Sequence, residues 1–267
     1  MGNIENLEGA RVLLTGATGG IGTAIAQALH ERGAELVLTG RKVEALADLE
    51  AEYAATSIAA DLASSEEIER LLAEAGDIDV LVVNHAVPAT GYLMDLSPAD
   101  IERAVAVNLL APILLAREAA ETMKARGSGQ IVLVGSLASK AASPGSAMYN
   151  ATKFGLRGFA LAFRQDLHGT GVGVSLVMPG FVSDAGMFAD TGLDTPAGVG
   201  TVTPVQVAQG VLKAIQQDRA EVTVAPLALR AGTTLSHLAP ELSALVQRKF
   251  TPPGYMDDFI AGQADKR

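Results

Sequence analysis

The sequence predicts a single α/β domain, residues 1–267, built on a doubly wound parallel sheet of about seven strands with helices on both faces. Three observations support this prediction. Short apolar runs alternate with longer segments of helical periodicity along the chain. Runs such as 80–83 and 131–134 are apolar at every position, as strands covered on both faces require. The 267 residues are 49% hydrophobic, which is enough for one large core.

The elements follow one another in a regular order. Predicted strands lie near 10–15, 35–39, 56–60, 78–83, 130–135, 172–178 and 221–225. Predicted helices lie near 20–32, 42–54, 64–75, 97–126, 148–168 and 204–217. Because a helix stands between successive strands, each connection is a crossover and the sheet is expected to be parallel. No linker or internal repeat divides the chain.

A glycine-rich turn follows the first strand. It reads Gly16-Ala-Thr-Gly-Gly-Ile-Gly22 and leads directly into a helix. Glycines let the backbone approach a pyrophosphate, and the helix N-terminus presents free N–H groups to it. The predicted nucleotide contacts of this turn are Gly16, Thr18, Gly19, Gly20, Ile21 and Gly22. No Gly-Lys-Ser/Thr follows, which argues against a phosphate-transferring P-loop; an ordinary tight turn is the alternative.

A second motif lies more than a hundred residues further on. Ser136 precedes Tyr149 and Lys153, and the last two are four residues apart, on one face of a predicted helix. An ammonium beside a phenol favours the phenolate, so Lys153 is expected to lower the pKa of Tyr149 from about 10. Tyr149 could then donate or accept a proton near neutral pH. The alternative is a surface helix with a half-buried tyrosine and a snorkelling lysine.

Together the motifs resemble those of the short-chain dehydrogenase/reductase family over nearly the whole chain. Asn84-His-Ala-Val87, Asn108 and Pro179-Gly180 match further family motifs in the right order. The resemblance implies a Rossmann-type fold with strand order 3-2-1-4-5-6-7. It also implies an oxidoreductase that interconverts a carbonyl and a secondary alcohol by hydride transfer. The alternatives are an epimerase or dehalogenase on the same fold, or a cofactor-binding protein without turnover.

The resemblance assigns roles to four catalytic residues. Tyr149 would be the general acid in reduction and the base in the reverse direction. Lys153 would also hold the nicotinamide ribose, and Ser136 would bind the substrate oxygen. Asn108 would hold a water that links Lys153 to solvent. A buried amide that bonds local backbone is the alternative for Asn108.

The remaining cofactor contacts are also implied by the resemblance. They are Asp61 and Leu62 near the adenine, Asn84 and Ala86 after the fourth strand, and Pro179, Gly180 and Val182 after the sixth. His85 and Val87 depart from the family's Asn-Asn-Ala-Gly segment, and Val87 is expected to narrow the pocket. Asp184 stands where the family often has Thr; it receives no binding role, and Ser183 is the substitute.

The end of the second strand bears on the choice of cofactor. It reads Gly40-Arg41-Lys42, with no acid to accept from a ribose 2′-hydroxyl. A guanidinium can bind a 2′-phosphate with two hydrogen bonds. We therefore expect NADP(H) to be preferred, with NAD(H) possible. The alternative is that Arg41 and Lys42 only open the next helix on a solvated face.

Composition excludes several other classes of function. The net charge is −10, which argues against nucleic acid and anionic membrane surfaces as partners. Without cysteine there is no disulfide or thiolate metal site, and the four histidines lack metal-ligand spacing. The acidic N-terminal residues do not resemble a signal peptide. We expect a cytoplasmic protein that acts on a small molecule and holds no metal.

Three longer segments complete the sequence predictions. The resemblance implies that residues 181–203 form a mobile substrate loop, and Val87, Pro88, Met148, Met187 and Phe188 suggest an apolar pocket. It also implies that helices 97–126 and 148–168 pair between subunits of a homodimer or homotetramer, although both could be core. The tail, 226–267, carries Leu235, Leu238, Leu242, Leu245 and Val246 at helical spacing, which predicts one or two packed amphipathic helices with a loose end.

Overall fold

The computed structural model describes residues 4–195 and 199–264, and it confirms the predicted parallel sheet. The strand order is β3-β2-β1-β4-β5-β6-β7, and every neighbouring pair is parallel. The strands are β1 (Arg11–Thr15), β2 (Glu35–Gly40), β3 (Thr56–Ala59), β4 (Val80–Val83), β5 (Gly129–Val134), β6 (Val172–Pro179) and β7 (Glu221–Val224). The chain reverses direction across the sheet between β1 and β4, which leaves a crevice at their carboxyl ends.

Helices connect the strands, and three more helices follow the last strand. They are α1 (Gly20–His30), α2 (Val43–Tyr53), α3 (Ser65–Ala75), α4 (Pro98–Val105), α5 (Ala111–Arg126), α6 (Ala147–Asp166), α7 (Pro204–Gln217), α8 (Leu227–Leu238), α9 (Pro240–Phe250) and α10 (Tyr255–Ala261). Within the described residues, none of the helices is long and apolar enough to cross a membrane.

The core forms one layer on each face of the sheet. Leu13 and Leu81 point to the layer that α3, α5 and α6 cover, while Val12 and Leu14 point to the layer beneath α1, α2 and α7. Successive residues of a strand face opposite sides, so a strand covered on both faces must be apolar throughout. All positions of β4, β5 and β6 are buried, as that arrangement requires.

The helix predicted at 97–126 is present from Pro98 to Arg126, but its middle turn is wider than an α-helical turn. A π-helical turn, Ala106–Leu110, separates α4 from α5. Two side-chain contacts hold the turn: a ring nitrogen of His85 lies 3.1 Å from the Val107 carbonyl oxygen, and the Asn108 amide bonds the backbone of Val87. In both contacts one partner is a residue of the loop after β4. The helical pattern of the sequence could not reveal such a partner. Single π turns are frequent at functional sites.

The tail also differs from the prediction, because its leucines are not packed. Leu238 is 76% exposed and Leu245 is 62% exposed. The α8–α9 hairpin instead buries the small hydroxyl residues Thr233 and Ser243. Small side chains allow the two helices to approach closely, and the leucine face is left outside. The tail has a third helix, α10, whose C-terminal end docks on the body of the fold.

Candidate active site

The glycine turn forms a cradle at the carboxyl end of β1. Gly16 has a φ of +65°, and a Cβ there would lie 2.9 Å from the Cα of His85. A Cβ at Gly22 would overlap the carbonyl oxygen of Gly16. No described side chain caps the first turn of α1, which begins at Gly20. The free N–H groups and the close backbone are features that a pyrophosphate site requires, and binding there stays a prediction.

Ser136, Tyr149 and Lys153 meet at the same edge of the sheet. Ser136 follows β5, and the other two lie on the first turns of α6. The Tyr149 phenol lies close enough to the Ser136 side chain for that hydroxyl to act on its pKa. The Nζ atom of Lys153 lies 5.6 Å from the centre of the Tyr149 ring and donates to the Val134 carbonyl at 3.4 Å. The predicted spacing therefore brings hydroxyl, phenol and ammonium together.

Burial changes the expected electrostatics of this group. The pKa of Tyr149 is raised by its withdrawal from water, although the hydrogen bond with Ser136 acts in the opposite direction. The predicted lowering of this pKa by Lys153 is therefore not found. Lys153 is only 2% exposed, and burial lowers its own pKa to about 8. The same desolvation penalises the charged form of both groups, and at Tyr149 it outweighs the hydrogen bond with Ser136.

Asn108 lies in the π turn and is 1% exposed. Its Oδ1 accepts from the Val87 N–H at 2.8 Å, and its Nδ2 donates to the Val87 carbonyl at 2.9 Å. These two bonds fix the loop after β4 on the helix. Asn108 is thus a buried amide that bonds backbone, which is the alternative role considered in the sequence analysis. A water relay through Asn108 stays a prediction.

His85 braces the first strand against the π turn. Its Nδ1 lies 2.8 Å from the Thr15 hydroxyl, and its Nε2 lies 3.1 Å from the Val107 carbonyl oxygen. Burial and the nearby Lys153 ammonium lower the pKa of His85 to about 3. The ring is therefore neutral near neutral pH, with Nε2–H donating to Val107 and Nδ1 accepting from Thr15. Val87, two residues further on, is buried, and together with half-buried Met148 it lines a small cavity.

The other predicted cofactor residues surround the crevice. Asn84 Nδ2 donates to the Gly16 carbonyl at 3.1 Å, which ties the loop after β4 to the glycine turn. Gly180 follows β6 and donates to Val224 at 2.9 Å. The remaining positions are Ala86 beside Asn84, Pro179 at the end of β6, exposed Asp61 and buried Leu62 after β3, and buried Val182 paired with Val202.

Arg41 and Asp184 are both exposed charged residues. Arg41 is exposed at the end of β2, and none of the salt bridges among the described residues includes it. Asp184 has a φ of +62° and accepts from the Ser183 hydroxyl at 2.7 Å. The Ser183 hydroxyl proposed as a substitute contact is thus engaged by Asp184. No group of three His, Cys, Asp or Glu in the described part of the chain could hold a metal ion.

Sequence reasoning missed several residues that hold the site. The Thr15 hydroxyl accepts from the Asn84 N–H at 3.0 Å. Asn150, next to Tyr149, donates to the carbonyls of Ala138 and Ala141 and so fixes the loop after β5 on α6. Thr15 lies at the start of the glycine motif and could have been suspected from its place. No sequence signal indicates the contacts of Asn150, because its partners lie in an irregular loop.

Comparison with known proteins adds to this geometry. The profile described as "short chain dehydrogenase" matches residues 10–195. The ketoacyl reductase HetN of Nostoc sp. is 39% identical over 230 residues, which cover 83% of this chain and 80% of that protein. A metagenomic short-chain oxidoreductase solved in complex with NADP has 35% identity and a TM-score of 0.70, over 82% of this chain and 98% of that one. A solved short chain dehydrogenase/reductase family protein has 29% identity and a TM-score of 0.77, over 84% and 99% of the two chains.

Proposed function

Because the chain belongs to the short-chain dehydrogenase/reductase family, we propose that it is an NADP(H)-dependent oxidoreductase that interconverts a carbonyl and a secondary alcohol, with Tyr149 as general acid and base. The observation that carries the proposal is the meeting of Ser136, Tyr149 and Lys153 beside the glycine turn. A phenol bonded to a hydroxyl and close to a buried ammonium is suited to protonating a carbonyl oxygen. The ketoacyl reductase among the relatives supports a carbonyl as the reacting group.

The proposed mechanism gives each side chain a task. NADPH, when held at the glycine turn, would supply the hydride for the carbonyl carbon. Ser136 donates a hydrogen bond to the carbonyl oxygen and holds it at Tyr149, whose phenol donates the proton. Lys153 holds the ribose hydroxyls and lies beside the phenolate that results. Because the pKa of Lys153 is about 8, this residue can return a proton to the phenolate near neutral pH.

The backbone and a few polar groups would hold the cofactor. The glycine turn and the N-terminus of α1 bind the pyrophosphate, since their N–H groups are free of side-chain caps. The other proposed contacts are Asp61 and Leu62 at the adenine, Asn84 and Ala86 after β4, and Pro179, Gly180 and Val182 after β6. Asp184 receives no binding role, because its carboxylate would repel the phosphates.

Selection of NADP(H) over NAD(H) is proposed to rest on Arg41. The residue before it is Gly40, so no carboxylate at this place excludes a 2′-phosphate. The exposed guanidinium is available for two hydrogen bonds to that phosphate. Dissociation constants for NADPH and NADH, measured by fluorescence titration at the same salt concentration, test this preference. Equal values would contradict it.

The test of the reaction itself is NADPH oxidation across a panel of carbonyl compounds. The panel should include apolar ketones, polar ketones, aldehydes and 3-oxoacyl thioesters, each with the purified wild-type chain. We expect turnover with at least one class, with stoichiometric formation of the alcohol. Tight NADPH binding without turnover of any member would favour the non-catalytic alternative, and a product formed without net NADPH consumption would favour an epimerase or dehalogenase.

We also propose a homodimer or homotetramer that works in the cytoplasm. Phe154 on α6 is 39% exposed and Leu110 in the π turn is 49% exposed, so the predicted pairing helices keep apolar groups at the surface. Burying such groups between subunits would stabilise an oligomer. Light scattering at micromolar concentration tests the oligomer, and a monomer mass would contradict it. Cell fractionation tests the location.

A further inference from the structure

The strongest unexplained feature of the molecule is a buried amide near the C-terminal end of the described chain. Gln263 is 1% exposed. Its Oε1 accepts from the Thr90 hydroxyl at 2.6 Å, and its Nε2 donates to the Met187 carbonyl at 2.9 Å. Thr90 lies in the loop after β4 and is 3% exposed, while Met187 lies in the substrate loop. One side chain thus joins two separate loops at the carboxyl edge of the sheet.

The segment that carries Gln263 contacts a third loop as well. We call residues 255–263 the C-terminal clasp; it consists of α10 and the turn after it. Ile260 packs so tightly on Gly145 that a Cβ there would lie 2.7 Å from its Cδ1. Gly145 lies in the loop after β5, four residues before Tyr149. The clasp therefore touches the loops after β4, β5 and β6, which surround the crevice where such sheets bind ligands.

Further contacts fix the clasp and the substrate loop to each other. The Tyr255 hydroxyl donates to the Asp194 carbonyl at 3.1 Å, and a Cβ at Gly262 would lie 2.9 Å from the Cα of Thr191. On the other side, the Tyr92 hydroxyl donates to Asp257 at 3.0 Å. These bonds span both ends of the clasp, so the substrate loop is held at several points rather than at Gln263 alone.

Aromatic side chains pack between these loops. The ring of Phe181, directly after Gly180, lies 4.7 Å from that of Phe188 in the substrate loop, and Phe188 lies 6.3 Å from Phe259 of the clasp. Such spacings are those of interacting aromatic pairs. The aromatic row runs from the proposed nicotinamide end of the crevice to the clasp.

The clasp lies outside the part of the chain that the family profile matches. The family match ends at residue 195. The solved family protein with a TM-score of 0.77 is covered over 99% of its own length by 84% of this chain, which leaves 16% of this chain without a counterpart there. The family profile therefore gives no information on the contacts of the clasp.

We propose that the C-terminal clasp is a wall of the substrate site, and that Gln263 is a positioning residue that holds the substrate loop closed. With the loop fixed, the aromatic row excludes water from the reacting carbonyl and selects substrates that carry an apolar group beside it. The substrate class rests on the proposed carbonyl reduction. The closure of the loop rests on the contacts alone and can be tested without turnover.

The first test measures the loop itself. Gln263→Leu removes both hydrogen bonds at similar volume, and Thr90→Val removes one of them with almost unchanged shape. We expect hydrogen exchange of the amides at 187–194 to become about tenfold faster or more in both variants, since each buried bond contributes about that factor. Two control variants should leave exchange unchanged. Thr90→Ser keeps the hydroxyl, and Gln216→Leu removes only the exposed bond from α7 to Glu5.

The second test measures substrate use. In Gln263→Leu we expect the KM for an apolar ketone to rise about tenfold while kcat changes little and NADPH affinity stays the same. Preference for that ketone over a polar one should fall by a similar factor. A purely structural role would lower the melting temperature and the active fraction without moving KM. Where Gln263→Leu does not fold, Thr90→Val against Thr90→Ser gives the same comparison.

The outcomes separate the two proposals. Unchanged exchange at 187–194 in both Gln263→Leu and Thr90→Val would overturn the clasp, whatever the enzyme reduces. Faster exchange with unchanged KM and selectivity would overturn its part in the substrate site. If the wild-type chain reduces no carbonyl at all, the proposed function fails, and the exchange measurement still decides whether Gln263 holds the loop.

Discussion

Replacing the buried Lys153 by methionine should make the protein more stable and inactive. Lys153 is 2% exposed, and burial lowers its pKa from 10.5 to about 8. At about 1.4 kcal/mol per pKa unit, holding this ammonium in its charged form costs about 3 kcal/mol. Methionine has a similar length and no charge to desolvate. Near neutral pH we therefore expect Lys153→Met to raise the free energy of unfolding by up to about 3 kcal/mol, less the bond to Val134.

The pH dependence of this gain has a defined sign. Between about pH 8 and pH 10.5 the unfolded chain keeps a proton on Lys153 that the folded chain has lost. Because the unfolded state binds more protons in that window, the stability of the wild type rises with pH there. The cost is complete below the folded pKa and absent above the unfolded one. The difference between Lys153→Met and the wild type should therefore shrink towards zero as the pH rises through the window.

Urea unfolding followed by circular dichroism at several pH values measures both effects. The matched control is Lys140→Met, because Lys140 lies in the neighbouring loop and pairs with Glu221 at 2.8 Å. That variant loses an ion pair and should gain no stability at any pH. A Lys153→Met protein that is less stable than the wild type near neutral pH, or a difference that does not change with pH, would refute the account of Lys153 as a group strained by burial.

Three further predictions follow from the site. Tyr149→Phe should keep the dissociation constant for NADPH and lower kcat by about 10²–10⁴, since it removes the general acid and nothing else; near-normal turnover would contradict the assignment. Arg41→Ala should weaken NADPH binding by about 1.5–3 kcal/mol in a fluorescence titration and leave NADH binding unchanged; an equal loss for both would show that Arg41 does not contact the 2′-phosphate. His85→Leu should lower the free energy of unfolding by about 1–3 kcal/mol, because the Val107 carbonyl loses its donor. His85→Gln should recover part of that loss in the same urea titration, because its amide can reach Val107 again. Equal losses in the two variants would contradict the role of His85 in holding the π turn.

Much of the fold could be predicted from local sequence pattern. The runs at 80–83 and 131–134 are apolar at every position and indicated strands covered on both faces, because burial on two sides leaves no position for a polar residue. The glycines at 16 and 22 indicated a turn with close backbone contact, because any Cβ at either place would clash with the backbone. The spacing of Tyr149 and Lys153 on a helix fixed their common face. These features depend on period and steric fit, which the order of residues states directly.

The remaining features depend on contacts between distant parts of the chain, and only the tertiary structure decided them. The π turn at 106–110 arises from His85 and Asn108 acting across the loop after β4, so no helical pattern indicates it. The raised pKa of Tyr149 and the lowered pKa of Lys153 come from burial, which a spacing of four residues does not reveal. Gln263 and Thr90 are 173 residues apart in sequence, and their hydrogen bond exists because the tail folds back over the crevice. Periodicity reports which face of an element is buried, whereas the partner that buries it is set by the packing of the whole chain.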